Sequence, residues 1–415
     1  MASTEQGPLR TIELAEHETS HPLDLPEAVL ETIDSKLNRS KHRLTYEYTA
    51  DGQVRLRTSS YVGLVSLPEG TQVRIRPKAA GGNFLRLLLY AQGASSATID
   101  STVEALSGDL FLDAIGALFL ERLEELIQRG LGKDYRTQES RESHLRGRLD
   151  VQRQLSRGDV VTTQFDVEYQ ELTHDTVPNQ AVLYATHLLT QLVDEQSLQG
   201  SLRQREQQLR RDVTLRPVPL SELDAVHLDR RTQYYEDILR LAELVIQSTF
   251  VDNFRSGTRE TYGMLVNMNR IFEATVERAA CDALEGTAWT MDAQSRLDRL
   301  VTGGNPSINM YPDFVISDPN GNLELVGDAK WKTGRPSQSD IYQLTSYQLA
   351  DDVPGLLLYP SQDGSVETEY RVDDRLPLHL RELPTGADVS NFSSFANRLS
   401  DVLKQELEAV GMNIS

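Results

Sequence analysis

Between Leu44 and Arg76 the chain alternates apolar and polar residues with a period of two. Leu44–Tyr48 and Val54–Arg57 flank Ala50-Asp-Gly52, while Tyr61–Leu67 and Gln72–Arg76 flank Pro68-Glu-Gly70. Alternation broken by Gly- and Pro-bearing turns predicts four strands of a small antiparallel sheet or open barrel. A short helix over Pro26–Leu37 precedes them, and an apolar helix, Phe84–Ala91, follows. From Gly108 to Arg129 the period is helical, with Leu110, Phe111, Ile115, Leu118, Phe119, Leu123, Leu126 and Ile127 forming one wide stripe. The middle third continues with a strand-like stretch at Val160–Tyr169. Helices follow from Asp175-Thr-Val-Pro-Asn179 to about Glu195, over Ser201–Arg211 and over Thr232–Phe250.

In the last third, Met264–Ala280 reads as a helix with Leu265, Met268, Ile271, Phe272, Thr275, Val276 and Ala279 toward a core. A strand at Ala288–Met291 and a loop at Gly303–Pro306 lead to a hairpin. Its two β-rich runs, Ile308–Ile316 and Leu323–Trp331, are joined by Asp318-Pro-Asn-Gly-Asn322, which has the turn chemistry of Asn-Gly. A helix over Asp340–Ala350, strands at Gly355–Tyr359, Val366–Val372 and Leu378–Leu383, and a helix over Asn391–Val410 complete the chain. The expected class is α+β and multidomain: a β-rich region over 1–100, a mainly helical scaffold over 101–255, and an α/β core over 256–415 with the order αβββαβ.

Composition narrows the setting. With 39% hydrophobic and 25% charged residues, the chain has the makings of a soluble globular protein, and no apolar run approaches the roughly 20 residues that span a membrane. The opening Met-Ala-Ser-Thr-Glu-Gln has no basic stretch leading into a hydrophobic one, so a cytoplasmic protein is expected. Cys281 is the single cysteine, which excludes an internal disulfide framework. A net charge of −20 would repel nucleic acid, yet only seven of the 42 basic residues are lysine. An acid-rich, lysine-poor surface suits a cytoplasm of molar salt, where the Debye length shrinks to about 3 Å; the composition therefore points to a halophilic source. Lysines at 330 and 332 stand out against that background.

The candidate chemistry gathers on the hairpin. Asp328 and Lys330 leave the same face of one strand, about 7 Å apart along the backbone, and correct register brings Asp313 of the other strand beside Asp328. Two carboxylates and a lysine at one point of a sheet are costly unless they hold something, and a divalent metal bound through oxygens is the natural partner. Glu273 and Glu277 share a face of the preceding helix at i, i+4; either one reaches the hairpin or both face solvent with Arg270 and Arg278. Asp340, Gln343 and Tyr347 line one face of the following helix. Arg146, Arg148 and Arg153 could contact phosphates or form a salt-bridged surface. His144, His174, His187 and His227 have no metal-ligand spacing and read as structural.

Pro312-Asp313, about fifteen residues, then Asp328-Ala-Lys330 resembles the active-site pattern of the PD-(D/E)xK nuclease superfamily. Together with Tyr61-Val-Gly63, Ile75-Arg-Pro-Lys78, Leu145-Arg-Gly-Arg-Leu149, Asp175-Thr-Val-Pro-Asn179, Asn269-Arg-Ile-Phe-Glu273 and Asp340-Ile-Tyr-Gln-Leu-Thr-Ser-Tyr347, it makes the chain resemble the McrC family. These are the nuclease subunits of McrBC-type modification-dependent restriction systems. The resemblance implies a C-terminal restriction-endonuclease-like core and an N-terminal region that docks on a hexameric AAA+ GTPase of the McrB type, which recognises modified cytosine in double-stranded DNA. It implies one or two Mg²⁺ ions held by Asp313, Asp328, the Ala329 carbonyl and Glu273. Lys330 would position the attacking water, while Gln343, Tyr347 and Lys332 would contact DNA or brace the site. The chain has no G-x-x-x-x-G-K-[ST] loop, so any nucleotide-driven motor is expected from the partner. A non-catalytic stimulator of an AAA+ NTPase and a stand-alone, RecB-like exonuclease are the alternatives.

Overall fold

The computed structural model describes residues 10–38, 42–80, 83–93, 111–156, 163–251, 262–293, 295, 297, 309–362, 364–386, 388–389 and 391–414. The loop expected at 303–306, the first residues of the runs beginning at 108, 160 and 308, and the N-terminal nine residues lie outside these. The chain divides into two compact units, one of residues 1–115 and 248–415, the other of 116–247. The first and last stretches of the sequence thus fold together.

The first unit opens with β1 (Arg10–Ala15), then α1 (Glu27–Thr32), which runs on into a turn of π-helix at Ile33–Leu37. Strands β2 (Leu44–Tyr48), β3 (Val54–Thr58), β4 (Tyr61–Leu67) and β5 (Thr71–Arg76) fall where the alternation placed them, and α2 is Phe84–Ala91. They do not form one antiparallel sheet. β2 and β3 pair only with each other, while β4 and β5 belong to a larger sheet in which β1 lies parallel to β5. Ile12 and Leu14 of β1 close a core with Val29, Leu37, Leu56, Val65, Val73 and Leu265.

The second unit holds most of α3 (Phe111–Arg129), then β6 (Asp134–Glu142), β7 (Arg148–Leu149), α4 (Val151–Ser156) and β8 (Phe165–Thr173). Four helices follow: α5 (Val177–Leu192), α6 (Gln196–Leu209), α7 (Leu220–Asp224) and α8 (Glu236–Ser248). It is therefore not only a helical scaffold: β6, β8 and β7 form a three-stranded sheet. β6 escapes a sequence reading because Asp-Tyr-Arg-Thr-Gln-Glu-Ser-Arg-Glu is polar and lies largely in solvent. The arginines here are mostly paired, Arg146 with Glu171 at 3.8 Å and over the Tyr169 ring, and Arg153 with Glu139. A cavity of about 770 Å³ in this unit is lined by Lys133, Arg136, Asp175, Arg216 and His227 among others.

A buried network in the second unit gives a pH-dependent contribution. Glu206 accepts from His187 at 2.7 Å and Arg210 at 2.6 Å. Burial pushes its carboxyl up, but these two partners outweigh burial and hold it below the ordinary value of 4.5. A depressed carboxylate stabilises the fold above its unfolded pKa, and that contribution is lost as the pH falls through the folded value. Glu206→Gln is expected to cost about 1–2 kcal/mol at neutral pH. Thermal melts should show the gap to wild type closing as the pH falls from the ordinary value of 4.5 through the depressed one.

The chain returns to the first unit with β9 (Thr249–Val251) and β10 (Tyr262–Asn267). β10 corrects the expected helix, which begins only at Met268: it pairs antiparallel with β4 and β9, completing the sheet order β1-β5-β4-β10-β9. Asn267 then caps α9 (Met268–Leu284) by accepting from the Asn269 N–H at 3.0 Å. All seven residues assigned to the core are buried, Leu265 from the strand and the others from the helix. α9 packs against α2, where the Tyr90 hydroxyl donates to Asp282 at 2.7 Å.

A six-stranded sheet follows, in the order β11 (Thr290–Ala293), β12 (Phe314–Ser317), β13 (Leu323–Ala329), β14 (Gly355–Pro360), β16 (Leu376–Leu383) and β15 (Thr368–Val372). β12 and β13 are the expected hairpin. Its turn is held by Asp318, whose carboxylate accepts from the N–H groups of Asn320 and Asn322 at 2.8 Å, and Gly321 takes φ +83°. Those bonds hold the Asp318 carboxyl down at about 2. α10 (Gln338–Asp351) crosses from β13 to its parallel neighbour β14, and α11 (Phe392–Ala409) closes against α9. The element order through this part, α9 to β14, is αβββαβ. Among the described residues no helix is long and apolar enough to cross a membrane.

Candidate active site

β13 is a central strand, buried from Leu325 to Ala329. Its pairing with β12 sets Phe314 opposite Gly327 and Val315 opposite Val326. Continued by one residue, that register places Asp313 opposite Asp328, as the alternation implied. Asp313 accepts from the Ala329 N–H at 2.8 Å, so its carboxylate is tied to the end of β13. Gly327 is glycine because the Phe314 ring lies across it: a Cβ there would meet ring carbon Cζ at 1.9 Å.

Asp328 is fully buried, and neither carboxylate oxygen accepts a well-aimed hydrogen bond. The Lys330 ammonium stands 2.5 Å from Oδ2, a charge contact. The two partners respond unequally. Burial and then Asp313 push the Asp328 carboxyl up to about 7 against the pull of Lys330. Burial would lower Lys330, but Asp328 and Asp313 outweigh it and hold the ammonium above its ordinary range. Lys330 is thus held as a cation beside a carboxyl whose ionisation burial and Asp313 oppose.

Glu273, from the second turn of α9, joins this group. Burial pushes it up to about 7, Asp313 adds to that, and Lys330 and Arg270 oppose it. Glu277 is exposed, so of the i, i+4 pair only Glu273 faces the hairpin. Gln343 and Tyr347 act on the backbone: Gln343 donates to the Tyr347 hydroxyl at 2.8 Å, which donates to the Tyr311 carbonyl at 3.1 Å. They tie α10 to the backbone two residues before Asp313. Lys332 points elsewhere, to buried Asp340 at 2.7 and 3.0 Å, where the Tyr359 hydroxyl also donates.

Among the described residues no three ligand groups converge closely enough to hold an ion as they stand. The donor set is nonetheless suited in kind to a hard divalent cation: Asp313, Asp328 and Glu273 offer carboxylate oxygens, and Asp328 has buried oxygens in want of a partner. The Lys330 ammonium partly meets that want.

Two residues joined to these elements are invisible to local sequence reading. Trp331, one position beyond Lys330, packs on Phe272 of α9 with ring centroids 5.5 Å apart, and its indole N–H donates to both oxygens of Glu16 at 3.0 Å. Residues 315 positions apart carry no shared period or motif; the rarity of tryptophan was the one available signal.

Fold and site together define a mixed α+β protein whose acidic residues and lysine converge on a buried hairpin. A family model described as "McrBC 5-methylcytosine restriction system component" matches residues 56–360, and the chain belongs to that family. It is 22% identical over 324 residues, 70% of this chain and 88% of the relative, to the Escherichia coli K12 protein described as type IV methyl-directed restriction enzyme EcoKMcrBC. In fold it is similar, with a TM-score of 0.53 and 20% identity, to a chain from the Thermococcus gammatolerans assembly of McrB AAA+ hexamers with bound McrC. That match covers 94% of this chain and all of the other. The expected family membership is thereby established.

Proposed function

We propose that this chain is the DNA endonuclease subunit of a modification-dependent, 5-methylcytosine-type restriction complex, with a PD-(D/E)xK core that hydrolyses phosphodiesters using Mg²⁺. The observation that carries this reading is Asp328, sealed in a central strand, its oxygens accepting no well-aimed hydrogen bond, with Lys330 in charge contact and Asp313 opposite. Asp313, Asp328, the Ala329 carbonyl and Glu273 would hold the metal. When bound, Mg²⁺ supplies charge neutralisation at the phosphate and a more acidic water. Lys330 is placed to orient that water and to stabilise developing negative charge. Gln343 and Tyr347 keep the Asp313 segment in place. Residues of the 1–100 region would dock on a hexameric McrB-like AAA+ GTPase. Support comes from family membership and from the fold shared with a chain of an McrB–McrC assembly.

The experiment mixes the chain with its AAA+ partner, GTP, Mg²⁺ and double-stranded DNA, with and without cytosine methylation. It is run in molar KCl, the condition the acid-rich composition implies. Cleavage of the methylated duplex that needs both the partner and Mg²⁺, and that stops with EDTA, is the expected result. GTP hydrolysis stimulated without any cleavage would indicate an adaptor instead, and degradation from DNA ends by the chain alone an exonuclease.

A further inference from the structure

We infer that Glu16 is a positioning residue for the hairpin site, acting through Trp331; the inference rests on the nuclease reading above. Glu16 follows β1 and is fully buried. Its backbone N–H donates to the Arg76 carbonyl at 2.9 Å, at the end of β5. Among the described residues it makes no ion pair. Its partners are the Trp331 indole N–H, at 3.0 Å from each oxygen, and the Lys78 backbone N–H at 3.0 Å. Burial opposes ionisation of this carboxyl, and the Trp331 indole, the Lys78 backbone N–H and the Lys78 charge work against that; the indole bond is the one of fixed direction toward the hairpin.

That bond holds the indole at the junction that matters. Trp331 adjoins Lys330 on the extension of β13, and its stacking partner Phe272 adjoins Glu273 on α9. The pair Trp331–Phe272 therefore sets the separation of the strand bearing Lys330 from the helix bearing Glu273. The indole N–H is directed at Glu16, and the ring at Phe272, rather than at Asp328 or Lys330. Glu16 and Trp331 position; they do not touch the reacting atoms.

The test uses the full chain as Glu16→Ala, Glu16→Gln and Trp331→Phe, with Asp328→Asn as control. Three quantities are measured: Mg²⁺ binding to the chain alone by calorimetry, cleavage with the partner, and stimulation of the partner's GTP hydrolysis. Residues that orient metal ligands from behind typically alter affinity or activity about 10–100-fold. Glu16→Ala and Trp331→Phe should weaken Mg²⁺ binding about tenfold and slow cleavage comparably, with GTPase stimulation unchanged. Glu16→Gln keeps one oxygen for the indole and should recover most of both. Mg²⁺ affinity and cleavage equal to wild type in Glu16→Ala and Trp331→Phe would overturn the inference. Were Glu16→Ala not to fold, Trp331→Phe, which keeps the stacking on Phe272, decides. Wild type that neither binds Mg²⁺ nor cuts would sink the nuclease reading itself and the inference with it. Wild type that cuts, beside an inert Asp328→Asn and a fully active Glu16→Ala, would sink the inference alone.

Discussion

Asp328→Asn is expected to reduce DNA cleavage by the chain and its AAA+ partner by on the order of a thousandfold or more, with partner binding intact. The substitution keeps shape and volume in a position with no exposed surface. It removes the negative charge that Lys330 faces at 2.5 Å and that a metal would require. Lys330→Met should be comparably inactive for a different reason, since the carboxylates remain but the cation beside them is gone. An orphaned buried charge ordinarily costs about 3–5 kcal/mol. Lys330→Met should cost less in stability, because burial and Asp313 already push the Asp328 carboxyl up and favour its taking a proton once the cation is removed. Single-turnover cleavage beside co-purification with the partner separates loss of chemistry from loss of assembly. Either variant cutting at the wild-type rate would remove the hairpin from the mechanism.

Gly327→Ala should be strongly destabilising. The added carbon would sit 1.9–2.3 Å from three atoms of the Phe314 ring, and that ring is itself 1% exposed, with no room to swing aside. Overpacking of this kind costs about 1–3 kcal/mol, which for a unit of this size lowers the melting temperature by about 2–4 °C per kcal/mol. Relief by spreading β12 from β13 would pull Asp313 away from Asp328, so cleavage should fall further than stability alone explains. Phe314→Leu in the same chain removes the offending ring atoms and should restore part of both. A Gly327→Ala protein with an unchanged melting curve would contradict the packing described for the hairpin.

The hairpin was legible in sequence because its information is local: alternation, an Asp-Pro-Asn-Gly-Asn turn and three charged residues at fixed offsets. The buried face of α9 was equally plain from its stripe. What failed was any feature set by distant partners. β10 was merged into α9 because Leu265 satisfies the helical period as well as a strand's, and only its neighbour β4 decides between them. β1 went unseen because six residues with two buried apolar positions say little until β5 is beside them. Glu16 could not be read as a brace for Trp331 from either end of the chain. Glu273, even on local sequence, gained its place only when burial and Asp313 came into view.

The join between β10 and α9 bears on how this protein could have been assembled or could be recombined. A strand shared by the N-terminal sheet leads, without a linker, into the helix that presents Glu273. A gene segment cut near residue 256 would leave Met264, Leu265 and Val266, now buried, as a bare apolar ribbon without β4. Chimaeras between relatives should therefore take β4 and β10 from the same parent.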